Sequence, residues 1–172
     1  SVPGTTSSAH SIAIVDNNHI TDSSWSIAIG RTIGISQNSN TSIAMGTQAE
    51  ISNSQAAIAI GPVSKVKNSL NGIAVGGGSE VSAARAIAIG AGAKASGEES
   101  ISIGTLNEVK GDKSIAIGDP SYIDTTATGT HVHGNDNGTA TNPIKASEST
   151  FMGNPNLAGT AGTTGIHVVG NN

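Results

Sequence analysis

The chain contains no cysteine, and its 172 residues include one Trp, one Tyr and one Phe. So few rings make a single compact globular core hard to fill, because aromatic side chains dominate the energetics of most cores. The missing cysteines remove disulfide frameworks and thiolate chemistry, and they are compatible with export without requiring it. Lys and Arg total 8 against 12 Asp and Glu, a formal net charge of -4 that argues against a nucleic-acid partner. No stretch approaches the roughly 18 consecutive apolar residues of a spanning helix, and no charged-then-apolar leader opens the chain. Catalytic signatures are missing too. There is no Gly-x-Ser-x-Gly elbow, no phosphate loop and no pair of carboxylates set in apolar sequence, so the chain does not read as an enzyme and calls for no cofactor.

What the chain has in quantity is glycine, 23 residues, and a recurring pentapeptide. Ser-Ile-Ala-Ile-Gly stands unchanged at 26–30 and 114–118 and returns lightly edited elsewhere. Its glycine falls at Gly30, Gly46, Gly61, Gly76, Gly90, Gly104 and Gly118, with Val15 in the place of an earlier one, giving steps of 14 to 16 residues. A helical repeat needs roughly 33 to 47 residues, so this period has room only for two short strands and two turns. The second strand is marked by an aliphatic residue five positions after each glycine: Ile20, Ile35, Ile51, Val66, Val81, Ala95, Val109 and Ile123. The fold class is therefore all-β, a parallel solenoid of two-strand rungs.

Alternation along a strand sets the sides. In Ile87-Ala88-Ile89 the isoleucines share one face and the alanine takes the other. Bulk suggests a roll core of Ile27, Ile29, Ile43, Ile58, Ile60, Ile73, Ile87, Ile89, Ile101, Ile103, Ile115 and Ile117, closed from the second strand by Ile51, Val66, Val81 and Val109. The outer wall is then Ala13, Ala28, Ala44, Ala59, Ala74, Ala88, Ser102 and Ala116, an apolar stripe about 34 Å long over eight rungs spaced by ~4.8 Å. A wall without Thr, Lys or Glu is best explained by another backbone against it. Ala28, Ala44, Ala59, Ala74, Ala88, Ser102 and Ala116 are thus the expected contact of an obligate oligomer, with three rolls around one axis the simplest closure. On the second strand the outward position reads Glu50, Lys65, Glu80, Lys94 and Glu108. Its alternating signs would attract between stacked rungs and mark a wet face.

These residues resemble the YadA-like head of trimeric autotransporter adhesins. The resemblance is carried by Ser114-Ile-Ala-Ile-Gly118 with Ser121, Ser42-Ile-Ala-Met-Gly46 with Ala49, and Gly72-Ile-Ala-Val-Gly76 with Ser79, and it extends from about Ala9 to Ile123. It implies a left-handed parallel β-roll and a homotrimer. It also implies an adhesin head making multivalent attachment to host extracellular matrix, host-cell receptors or other cells, on a bacterial surface. The chain would then be an excised ectodomain fragment with no membrane contact of its own, whose signal, stalk and C-terminal outer-membrane barrel lie beyond it. The alternative is the trimeric receptor-binding module of a phage tail fibre or spike. Hexapeptide acyltransferases do not fit, since a six-residue period cannot produce these steps. Ice-binding solenoids do not fit either, because no column of Thr is present.

Residues 1–123 are thus head repeats, 124–148 a long loop insertion without two-strand rhythm, and 149–172 either final rungs or an irregular cap. If the repeat resumes at Thr150-Phe151-Met152-Gly153, Phe151 takes the outward alanine position and needs a pocket on a neighbouring subunit. His131 and His133 share one side of an extended backbone, and Asp136 would be a third ligand. Two ligands alone make a weak metal site, loop histidines are usually plain surface residues, and no metal is expected. Trp25, at a corner matched by Arg85, Glu99 and Lys113, is either a contact for a receptor or glycan or, the favoured reading, a cover for the open N-terminal end.

Overall fold

The structure, a computed structural model, describes residues 4–6, 8–155 and 161–170. It is a parallel β-solenoid of about 10 turns, with no helix among the described residues. Two sheets face each other. One has eleven strands and is built from the glycine-marked pentapeptides, running from Ile12–Ile14 to His167–Val169; the other has nine, from Gly4–Thr6 to Tyr122–Ile123. As far as Tyr122–Ile123 the chain alternates between them, so each rung gives one short strand to each sheet. Register is uniform. Ala59 pairs with Ala74, Ala74 with Ala88, and Ala88 with Ser102, while Val66 pairs with Val81 and Val81 with Ala95.

The sides are the reverse of those inferred from bulk. Ala28, Ala44, Ala59, Ala74, Ala88, Ser102 and Ala116 are fully buried within the single chain and point into the roll, so they are not a subunit interface. Ile27, Ile29, Ile43, Ile58, Ile60, Ile73, Ile87, Ile89, Ile101, Ile103, Ile115 and Ile117 point outward and are half-buried or exposed. Ile51, Val66, Val81 and Val109 are fully buried. A three-residue strand can direct either one or two side chains inward, and the width of the roll decides. Opposite an inward Ile or Val there is room for an alanine, not for two isoleucines at native packing density.

The whole pentapeptide obeys this rule. Its small residues alternate inward, as in Ser26 and Ala28, and end at the glycine of the turn. Gly61 has φ +125°, and a Cβ there would stand 2.7 Å from the carbonyl carbon and oxygen of Gly76 in the next rung. The backbones stack too closely at this corner for any side chain. The buried serines satisfy polar groups between rungs. The Ser26 hydroxyl donates to the Ser39 carbonyl at 3.0 Å and accepts from the Ser42 amide at 3.2 Å. Ser42 donates to Ser54 and accepts from Ala57 at 3.0 and 3.1 Å, and Ser114 repeats the pattern with Ala127 and Thr130 at 2.8 and 3.0 Å. A hydroxyl that both donates and accepts makes up for the hydrogen bonds to water that burial removes.

The stretch 124–148 is not a loop inserted between rungs. His131–His133 pairs with Ile115–Ile117 on one side and Thr150–Met152 on the other, and isolated bridges join Ser121 to Asn137 and Ile123 to Ile144. The glycines that mark these last rungs are Gly134, Gly153 and Gly170, each at positive φ. The alanine column continues as Val132, Phe151 and Val168. Phe151 is fully buried in the roll with Val132 and Ile144, so it does not face outward to a neighbouring subunit. These rungs are hard to read as repeats because their inward residues are larger and their turns longer.

Candidate interaction surface

With the core filled by small residues, two long faces remain. The first carries two outward residues on each of the eight strands from Ile12–Ile14 to Ile115–Ile117, and every one of them is isoleucine except Met45 and Val75. Some are half-buried, and the exposed ones range from 37% for Ile60 to 49% for Ile12. Over seven rung spacings the stripe is about 34 Å long. Monomeric soluble proteins rarely expose a contiguous apolar surface on this scale.

The second face is wet. Glu50, Lys65, Glu80, Lys94 and Glu108 are adjacent in register, strand after strand. The ion pairs that close are with lysines two positions further along: Lys67 with Glu50 at 3.0 Å and Lys110 with Glu108 at 3.2 Å. A shallow depression of about 190 Å³ lies between Glu80, Ser82, Lys94, Ser96 and Glu108. A second groove, of about 300 Å³, is uncharged and lined by Asn38, Asn53, Gln55, Asn68 and Leu70, with Asn53 Nδ2 donating to Asn68 Oδ1 at 2.9 Å.

The corners carry side chains on left-handed backbone, Trp25 at φ +60° and Arg85 at φ +58° among them. Trp25 is 63% exposed and stacks on His10, ring centres 4.1 Å apart and planes 7° from parallel. It lies along the corner against the preceding rung, which does not make it a cover for the end of the roll. Arg85 holds Glu99 at 2.9 Å and also Glu98, and these hydrogen bonds raise the guanidinium's pKa further. Asp124 caps a turn: its carboxylate accepts from the Thr126 amide at 3.0 Å and from the Thr126 and Thr125 hydroxyls, which hold its pKa below the ordinary value.

His131 and His133 are exposed, with Val132 buried between them. Asp136 does not join them: among the described residues no group of three His, Cys, Asp or Glu comes together to hold a metal. His19 is exposed at the head of the charged column. No helix among the described residues is long and apolar enough to cross a membrane.

A narrow parallel solenoid with serine-stitched rungs, one apolar face and one charged face defines a repeat-built β-solenoid module. Comparison with protein families makes the resemblance specific: the YadA head domain repeat matches twice, at residues 68–93 and 95–119, so these rungs are similar to YadA head repeats. Neither the curated proteins nor the solved structures give a match. The matched segments are the central rungs, and the same parallel pairing continues on both sides of them, to Ile58–Ile60 and to His131–His133. The family's role is of adhesin type and in general not enzymatic.

Proposed function

We propose that this chain is the head of a trimeric autotransporter adhesin, and that three copies pack through their isoleucine stripes into one rod. The observation that supports this most is the unbroken apolar face of eight strands, set against a second strand face that is charged. Completing the burial of a half-exposed aliphatic side chain contributes about 1 kcal/mol. A full stripe therefore contributes on the order of 10 kcal/mol or more per chain, enough to offset an association cost of about 4–15 kcal/mol. Cyclic symmetry hides all three stripes at once.

Assembly leaves the charged strands and the uncharged groove on the outside, in three copies each. The rod binds a host matrix protein, a host-cell receptor or another cell through this wet surface, and weak single contacts add up because each is repeated on a rigid support. In the full-length protein the rod stands on the bacterial outer membrane. The test is retention of the purified head on immobilised matrix proteins and on cultured host cells, wild type against an Ile87→Glu variant. The proposal expects the trimer to be retained and the monomeric variant to be lost at the same chain concentration. Equal retention of both forms would remove the multivalent mechanism, and no retention on any surface would remove the adhesin role.

A further inference from the structure

The isoleucine stripe stops at one place, and the residues that end it are metal donors. Beyond Ile115–Ile117 the next strand in the sheet is His131–His133, followed by Thr150–Met152, with His131 in register with Thr150 and His133 with Met152. His131 and His133 thus occupy the two outward columns that eight preceding strands fill with Ile, Val or Met. Both imidazoles and the Met152 thioether are exposed, while Val132 and Phe151 beneath them are buried and pin the two strands in place.

Strand geometry sets the spacing. Two residues apart on one strand are about 6.6 Å apart, and neighbours in register on adjacent strands are about 4.8 Å apart. Two imidazoles and one thioether on such a triangle can converge on a single ion at bond lengths of about 2.0–2.3 Å. The donors are two borderline nitrogens and one soft sulfur, with no carboxylate among them. Calcium and magnesium require oxygen ligands, and zinc sites are usually built from thiolate, imidazole and carboxylate. A methionine sulfur beside imidazole selects a soft ion.

We propose that His131, His133 and Met152 bind one copper(I) ion per chain. All three donors come from one chain, so the site does not depend on the trimeric reading and fails or holds separately from it. The test is anaerobic titration of Cu(I) against a chromogenic Cu(I) chelator, with Zn²⁺ binding followed by calorimetry and the oligomeric state recorded by sedimentation. One Cu(I) per chain is expected, lost in His133→Asn and weakened by roughly tenfold or more in Met152→Leu when the soft donor is withdrawn. Zinc affinity is unchanged in Met152→Leu. X-ray absorption on the copper-loaded wild type shows a sulfur scatterer, which checks the ligand set without any variant. Absence of Cu(I) binding, equal Cu(I) affinity in Met152→Leu, or one ion per three chains would each overturn this site; a monomer with one ion per chain would overturn only the trimer.

Discussion

Replacing glycine by alanine at two positions of this chain has opposite expected effects, and the difference follows from the stacking of rungs. At Gly61 the backbone has φ +125°, and the added methyl would meet the carbonyl carbon and oxygen of Gly76 at 2.7 Å. Holding alanine in that conformation costs about 1–3 kcal/mol. Relieving the overlap requires moving a rung, which adds a comparable cost of about 1–3 kcal/mol. The total, about 2–6 kcal/mol, lowers the Tm of a chain this long by roughly 4–24 °C. Gly34, by contrast, lies within a strand, in the charged column between His19 and Glu50; nothing lies within 4 Å of a Cβ there and its φ is not positive. Alanine at Gly34 restricts the unfolded chain without straining the folded one, a gain of about 0.4–1 kcal/mol and a rise in Tm of roughly 1–4 °C. Thermal unfolding of wild type, Gly61→Ala and Gly34→Ala by far-UV circular dichroism reads both. A neutral Gly61→Ala would refute the close stacking of the glycine corner, and a destabilised Gly34→Ala would refute the open, extended placement of that residue.

Phe151 fills the widened end of the roll, so Phe151→Ala should cost about 3–5 kcal/mol in urea unfolding; a loss under about 1 kcal/mol would put the ring outside the core. Asp124 has a folded pKa below its ordinary value, so its contribution is present above the unfolded pKa near 3.8 and is lost as pH falls through the lower folded value. Asp124→Asn should therefore lower Tm at pH 7 and narrow its gap to wild type below about pH 4, and a gap independent of pH would contradict the cap.

Much of the architecture is legible in the period alone. Steps of 14 to 16 residues admit two strands and two turns, and the aliphatic column from Ile20 to Ile123 locates the second strand. The sides of the first strand are not legible from bulk, because the larger residue of an alternating pair need not be the buried one. The better signal lies in the same pentapeptide: Ser, Ala and Gly alternate, and only small residues fit opposite an inward Ile or Val. That pattern makes the isoleucines the outward pair and moves the apolar stripe from alanine to isoleucine. The rungs at His131–His133 and Thr150–Met152 are obscured because Val132 and Phe151 replace the alanine, although Gly134 and Gly153 keep the corner. The histidines consequently resemble loop residues in the sequence, whereas the strand pairing places them at the end of the stripe.

The central claim is that alanine faces in and isoleucine faces out toward sister chains, and sedimentation equilibrium with circular dichroism tests it on three proteins. Wild type should be a folded trimer. Ile73→Glu with Ile87→Glu should be a folded monomer, because charge on the outer face prevents packing without entering the roll. Ala74→Glu with Ala88→Glu should fail to fold, since each unpaired carboxylate buried in the roll costs several kcal/mol. A wild-type monomer, or an alanine variant that folds as a monomer while the isoleucine variant unfolds, would contradict the account.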